Sequence, residues 1–170
     1  MKQRRSGTLG KGKGKGKGKG IGIRTAVGLA SAAAGTLAMA PASTAVTPGT
    51  ATLAFDCGSY GSGTATLTAT QDGTAATISV STSAISSPIN IGANSVRSTL
   101  TLTRNGSGTT EFSGNANPAI PAGSPVSTGP LKGTVAAGDS LEASSLKVVV
   151  LGITATCKAT SPQSPGPFVF

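Results

Sequence analysis

Apolar and polar residues alternate with a period of two along most of the chain beyond residue 50. Leu53, Phe55 and Cys57 share one face of a run that ends at Cys57, and Ala65, Leu67 and Ala69 share one face of residues 64–70. After Asp72-Gly73, the residues Ala76, Ile78 and Val80 alternate with Thr77, Ser79 and Ser81. Both turn residues tolerate positive φ, so residues 64–70 and 74–82 are predicted to pair as a hairpin. Residues 96–104 place Val96, Leu100 and Leu102 inward, with Arg97, Thr99, Thr101 and Thr103 outward. Asn105-Gly106-Ser107-Gly108 supplies a turn, and residues 109–113 return with Phe112 as apolar anchor, a second predicted hairpin. No window here repeats at helical spacing, β-branched residues dominate, and Gly or Pro interrupts every longer run.

The remaining stretches are less regular. Residues 114–130 carry Pro118, Pro121, Pro125 and Pro130 and read as a loop or irregular edge, because proline cannot donate to a ladder. Residues 131–137 read as a strand with Leu131 and Val135 inward, closed by Gly138-Asp139. Residues 146–157 read as one long apolar strand, central in a sheet. Its face switches near Val150-Leu151-Gly152, where a β-bulge at Gly152 would restore register. About seven short strands separated by turns indicate an all-β domain, an Ig-like antiparallel β-sandwich, with a small β-barrel as the alternative. The domain is assigned to residues 46–160. Residues 161–170 form a Pro/Ser-rich tail expected to be loose, except that Phe168-Val169-Phe170 can dock on the domain. The chain has too few aromatic residues for the interfacial girdles of an outer-membrane barrel.

The formal charge of +9 suggests a nucleic-acid or membrane partner until its position is considered. Lys2, Arg4, Arg5, Lys11, Lys13, Lys15, Lys17, Lys19 and Arg24 supply nine of the fourteen cations. The later five, Arg97, Arg104, Lys132, Lys147 and Lys158, are balanced by Asp56, Asp72, Glu111, Asp139 and Glu142. The body is therefore formally neutral, and nothing in it favours a nucleic acid. The basic segment has the layout of an export signal over residues 1–45: a cationic n-region to Arg24, an Ala-rich apolar stretch to about Ala40, then the small residues Ser43-Thr44-Ala45. Cleavage is expected after Ala45, with Ala40-Pro41-Ala42 as the competing site. The apolar stretch is shorter than the ~20 residues a spanning helix needs and is diluted by Gly, Ser and Thr. Arg4-Arg5 lacks the bulky apolar residues expected after a twin-arginine signal. The Lys-Gly alternation from Lys11 to Gly20 reads as an extended cationic n-region.

Export gives the two cysteines a reading. Cys57 and Cys157 are best taken as a disulfide joining the first strand to the last. Cleavage leaves 125 residues, 170 less the first 45, of which 27 are Leu, Ile, Val or Phe. That core is thin, so a bridge across about 100 residues matters to it. A metal site is disfavoured by the absence of histidine and of any C-x-x-C spacing.

Without histidine, a Ser-His-Asp triad is impossible and the commonest neutral-pH base is missing. Asp139 and Glu142 are the closest acids, and they read as a solvated turn rather than a glycosidase pair. Asp56 reads as a strand-edge polar residue. Ser-Lys chemistry leaves Lys132 and Lys147 as candidates. With no Trp and a single Tyr, Tyr60, the chain lacks the flat aromatic surfaces of sugar-binding modules. The Gly-rich residues 58–63 join two strands and open no helix, so they are not a nucleotide-binding loop. No catalytic, cofactor-binding or metal-binding residue is assigned.

With Leu53-Ala54-Phe55-Asp56-Cys57 near its start and Gly152-Ile153-Thr154-Ala155-Thr156-Cys157 near its end, the chain resembles a group of small secreted actinobacterial β-sandwich proteins. Their first and last strands are linked by a disulfide. The resemblance implies an extracellular or cell-envelope location and an Ig-like fold, and it brings no catalytic residues. The expected function is a non-enzymatic structural or interaction module with a protein or cell-wall partner. Membrane contact is expected only through the signal peptide. The alternatives are a secreted hydrolase with a Ser/Lys or carboxylate mechanism, and a protein-binding module that pairs through a strand edge.

Overall fold

The computed structural model describes residues 45–170. The expected export signal and its Lys-Gly tract, residues 1–44, lie outside the described residues, and the expected cleavage point, Ala45, is the first of them. The described chain forms β1 (Thr50–Asp56), β2 (Ser62–Asp72), β3 (Ala75–Ser86), β4 (Arg97–Arg104), β5 (Gly108–Gly114), β6 (Pro125–Thr134), β7 (Ser140–Val150), β8 (Ile153–Ala159) and β9 (Phe168–Val169). One 3-10 turn, Gly58–Tyr60, joins β1 to β2.

Both predicted hairpins form, the first with its two-residue loop at Gly73-Thr74, one residue later than the predicted Asp72-Gly73, because Asp72 pairs with Ala75. β2 and β3 pair from Thr66↔Ser81 to Asp72↔Ala75, and β4 and β5 from Ser98↔Gly114 to Arg104↔Gly108. Gly73, Asn105 and Gly106 adopt the positive φ that these turns require. The sandwich expectation is overturned. The sheet runs β4-β5-β6-β3-β2-β1-β8-β7, and β7 then pairs back onto β4 from Arg97↔Val149 to Arg104↔Leu141. Eight antiparallel strands therefore close into a barrel, the alternative reading. Alternation specifies one buried face per strand but not whether that face looks across a sandwich or into a barrel. The outward positions are rich in Thr and Ser, with Lys132, Lys147 and Lys158 among them, whereas the outer band of a transmembrane barrel is apolar.

Residues 146–157 are not one strand. β7 ends at Val150 and β8 begins at Ile153, joined by Leu151-Gly152 with φ of +50° and +79°. Positive φ at both central residues is the type I′ geometry of a two-residue hairpin. The face switch lies earlier, at Ser144, where the β4–β7 register slips between Thr101↔Ser145 and Leu102↔Ala143. The extra residue turns Leu141 and Ala143, and also Leu146, Val148 and Val150, toward the interior. The Ser144 hydroxyl donates to the Thr101 carbonyl at 2.9 Å.

The proline-rich stretch also departs from expectation, because β6 begins at Pro125 and includes Pro130. The ladder gives way around these residues. The β3–β6 register shifts between Ser79 and Ser81, and the Val80 N–H donates to Thr128 Oγ1 at 3.1 Å. Ladder pairing between β5 and β6 narrows to the single pair Ser113↔Lys132. Gly129, at φ +67°, lies so close to Ala116 that an added Cβ would stand 2.1 Å from its carbonyl oxygen. Only glycine fits there.

The C-terminal residues are docked, not loose. Ser164 exchanges two 2.8 Å backbone hydrogen bonds with Thr52, and the buried Gln163 side chain accepts from the Ala143 N–H at 2.6 Å. β9 pairs with the start of β7 and bridges to Thr47. Phe168 and Phe170 are buried, with ring centroids 6.4 Å apart in an edge-to-face arrangement. Together with Val46, Leu102, Phe112, Leu131 and Leu141 they plug one end of the barrel.

Asp139 secures that plug. It was expected on a solvated turn, but it is buried and ion-paired with Arg104, Oδ2 to Nη2 at 2.6 Å. Burial opposes its ionisation, but the Ala136 N–H, hydrogen bonds from Arg104 and Asn105, and the Arg104 charge outweigh it and hold the carboxyl below its usual range. An unfolded Asp titrates near ~3.9. The stabilisation is thus fully present above that value and is lost as pH falls through the lower folded one. In thermal melts, wild type should exceed Asp139→Asn at neutral pH, and the gap should close below about pH 4. A gap that persists unchanged into stronger acid would refute this assignment.

Candidate functional site

The two ends of the barrel are filled differently. At the plugged end, inward positions hold Phe112, Leu131, Ile78 and Leu102, all essentially inaccessible to solvent. At the other end they hold mostly smaller residues, among them Ala65, Val80, Ser98, Val148, Ala155 and Ala159, which do not meet across the barrel. A cavity of ≈ 260 Å³ remains between them, walled almost wholly by apolar atoms. Its lining extends to the exposed Tyr60 and Pro88 and the half-buried Val150.

One wall comes from loops rather than strands. The β3–β4 and β5–β6 connections are zipped together by Ile91 and Ile120, which exchange backbone hydrogen bonds of 2.8 and 2.9 Å. Asn117 is buried and pins this wall, accepting from the Val96 N–H at 2.8 Å and donating to the Gly92 and Pro118 carbonyls at 2.9 and 2.8 Å. The part of residues 114–130 that reads as irregular in sequence is therefore ordered, and it places Ile120 against the cavity beside Ile91 and Val96 of the β3–β4 connection.

The opposite wall carries the disulfide. Cys57 and Cys157 are bonded, as expected, and both face the cavity. β1 and β8 pair only at Phe55↔Ala159 and Asp56↔Lys158, and the bridge occupies the next position along that register. It holds the seam where hydrogen bonding between the two strands ends.

Ser98 is the chemically distinctive residue of the cavity. It is fully buried on β4, lines the cavity, and its hydroxyl has no hydrogen-bond partner. A buried hydroxyl left unpartnered costs about 1–3 kcal/mol. Nearby Thr128 differs, since its hydroxyl accepts from Val80 and donates to the Gly129 carbonyl at 2.8 Å. Ser98 thus places an unpartnered hydroxyl in the wall of the cavity.

The residues weighed from sequence lie elsewhere. Asp139 is held at the plugged end, and Glu142, on β7, accepts from the Gln163 N–H at 3.3 Å. Asp56 accepts from the Gly58 N–H at 2.7 Å and so caps the turn after β1. Lys132 and Lys147 are exposed on the outer face, so the structure brings neither to Ser98. Among the described residues, no three His, Cys, Asp or Glu side chains gather as a metal site. Sequence reasoning missed Ser98, although its parity with Val96, Leu100 and Leu102 marks it as inward-facing. Compared with protein-family models, curated proteins and solved structures, the chain matches none of them.

Proposed function

We propose that this chain is an exported binding protein that holds one small, mainly apolar molecule in the open half of its barrel, with a polar group of the ligand bonded to Ser98. The observation that carries this reading is the apolar cavity of ≈ 260 Å³ with the unpartnered Ser98 hydroxyl in its wall. Eight-stranded barrels are of a size to hold one small ligand. A dry cavity of about 150 Å³ already takes up benzene, and this one is larger at ≈ 260 Å³. It falls just below the range of about 300–1,000 Å³ typical of sites for drug-sized molecules. A short acyl chain or a compact ring system bearing one hydroxyl or carbonyl suits these dimensions.

The expected interaction module thereby narrows to a small-molecule carrier. The disulfide is compatible with an extracellular location, in keeping with the export signal and the resemblance to secreted actinobacterial proteins. Strand-edge pairing is less favoured because barrel closure occupies most edges.

The test is a fluorescence titration of residues 46–170 with N-phenylnaphthylamine, followed by displacement with alcohols and ketones of increasing size. Val148→Trp should fill the cavity and weaken probe binding at least tenfold with the fold retained by circular dichroism. Ser98→Ala should weaken hydroxyl- or carbonyl-bearing ligands by about 1–2 kcal/mol, near tenfold, and leave hydrocarbon binding unchanged. Equal probe affinity in wild type and Val148→Trp would sink the proposal.

A further inference from the structure

The described chain exposes five large apolar side chains: Tyr60, Ile89, Leu151, Ile153 and Val169. Four of them stand on the three segments that bring the exposed or half-buried Tyr60, Pro88 and Val150 to the cavity lining, at its open rim. Tyr60 is in the turn after β1, Ile89 follows Pro88 in the β3–β4 loop, and Leu151 and Ile153 form the β7–β8 hairpin tip. Val169 lies at the plugged end. Leu151 is the most telling, being 71% exposed and at φ +50°. Neither property suits leucine: water disfavours its side chain, and the first position of a type I′ loop favours Asn, Asp or Gly. Violation of two local preferences at one residue is expected where function, not stability, sets the choice.

Charge is distributed along the same axis. By strand register, Arg97, Lys147, Lys158 and Asp56 lie on the opening half, three cations against one acid. Arg104 and Lys132 share the plugged half with Asp72, Glu111, Asp139 and Glu142, two cations against four acids. Lys132 belongs there because it stands two residues from the Ala75↔Thr134 pair beside the β2–β3 turn. The formally neutral body is therefore polarised, with its positive half bearing the apolar rim. Apolar loop tips backed by cations match a bilayer with anionic headgroups, where the tips enter the acyl boundary and the cations meet phosphate.

We infer that the open rim docks on an anionic lipid surface, so that the cavity exchanges its apolar ligand with the bilayer without passing it through water. The exchange rests on the ligand-binding reading, whereas the docking does not. The core residues, the disulfide and the nine strands of the described chain lie within residues 46–170, so that fragment contains the eight barrel strands and excludes the basic segment.

The experiment is co-sedimentation of this fragment with vesicles of phosphatidylglycerol and phosphatidylcholine in equal parts, and with phosphatidylcholine alone. Wild type should bind the anionic vesicles more tightly, and added salt should weaken that binding. Leu151→Asn, which creates an Asn-Gly turn, should melt at the same or a higher temperature yet lose about tenfold in vesicle affinity. Ile89→Ser, on a separate loop, should also lose affinity, and Val169→Ser should not. Wild-type binding retained by Leu151→Asn and Ile89→Ser, or no binding by a folded wild type, would overturn the inference. So would a dimer in solution that Leu151→Asn dissociates, which would make the rim a self-association surface. Probe titration without vesicles reports the cavity alone: vesicle binding without probe binding would defeat only the ligand reading, and the converse only the docking.

Discussion

Replacing Cys57 and Cys157 together by alanine is expected to lower the unfolding free energy of residues 46–170 by about 4–5 kcal/mol. The cysteines are 100 residues apart in sequence, so the bridge excludes many extended conformations from the unfolded chain. Domains of this size are stable by only about 5–15 kcal/mol, so the loss is a large share of the total. The location adds to the effect. β1 and β8 share just two residue pairs, and the disulfide lies where their ladder stops. Urea unfolding, with and without reductant, measures the change. The denaturant slope should rise as the unfolded state expands, and ligand affinity should fall as the seam beside the cavity loosens. A loss below about 1 kcal/mol would mean that hydrogen bonds and packing alone hold the seam.

Phe168→Ala should cost about 3–5 kcal/mol, the range for a large-to-small change in a packed core. Phe168 has no exposed surface, packs on Phe170, and stands opposite Leu141 in the β7–β9 pairing. Its loss leaves a void in the half of the barrel that is otherwise full. Were the tail loose, as its composition suggests, the same substitution would fall within about 0.5 kcal/mol of wild type. The urea midpoint separates these outcomes, and an effect at the lower figure would refute the plug.

The parts of the fold legible in sequence are those set by neighbours along the chain. Period-two alternation identified the inward faces of β1 to β5, and Asp72-Gly73 and Asn105-Gly106 marked their turns through the positive φ those residues tolerate. Leu151-Gly152 escaped because leucine rarely takes that conformation, so a hairpin read as one long strand. Pro125 and Pro130 argued against a strand, and β6 accommodates them by slipping register and by drawing on the Thr128 hydroxyl. Asp139 looked like a turn acid because its partner, Arg104, is 35 residues away in the chain. Ser98 lay in plain alternation with Val96 and Leu100, but a serine between apolar residues shows nothing about whether its hydroxyl has a partner.

By itself, the sequence determined an all-β body of neutral charge, two hairpins, the pairing of Cys57 with Cys157, and the basic segment that precedes them. Each follows from local backbone preference, composition or the pairing of two cysteines. Tertiary structure alone decided that β7 returns to β4 and closes a barrel, that Phe168 and Phe170 plug one end, and that the other end stays open around Ser98. Those features depend on which side chains meet across the ring. A strand's inward face is the same whether the opposite wall is near or far, so the cavity is a property of the closed sheet and not of any one strand.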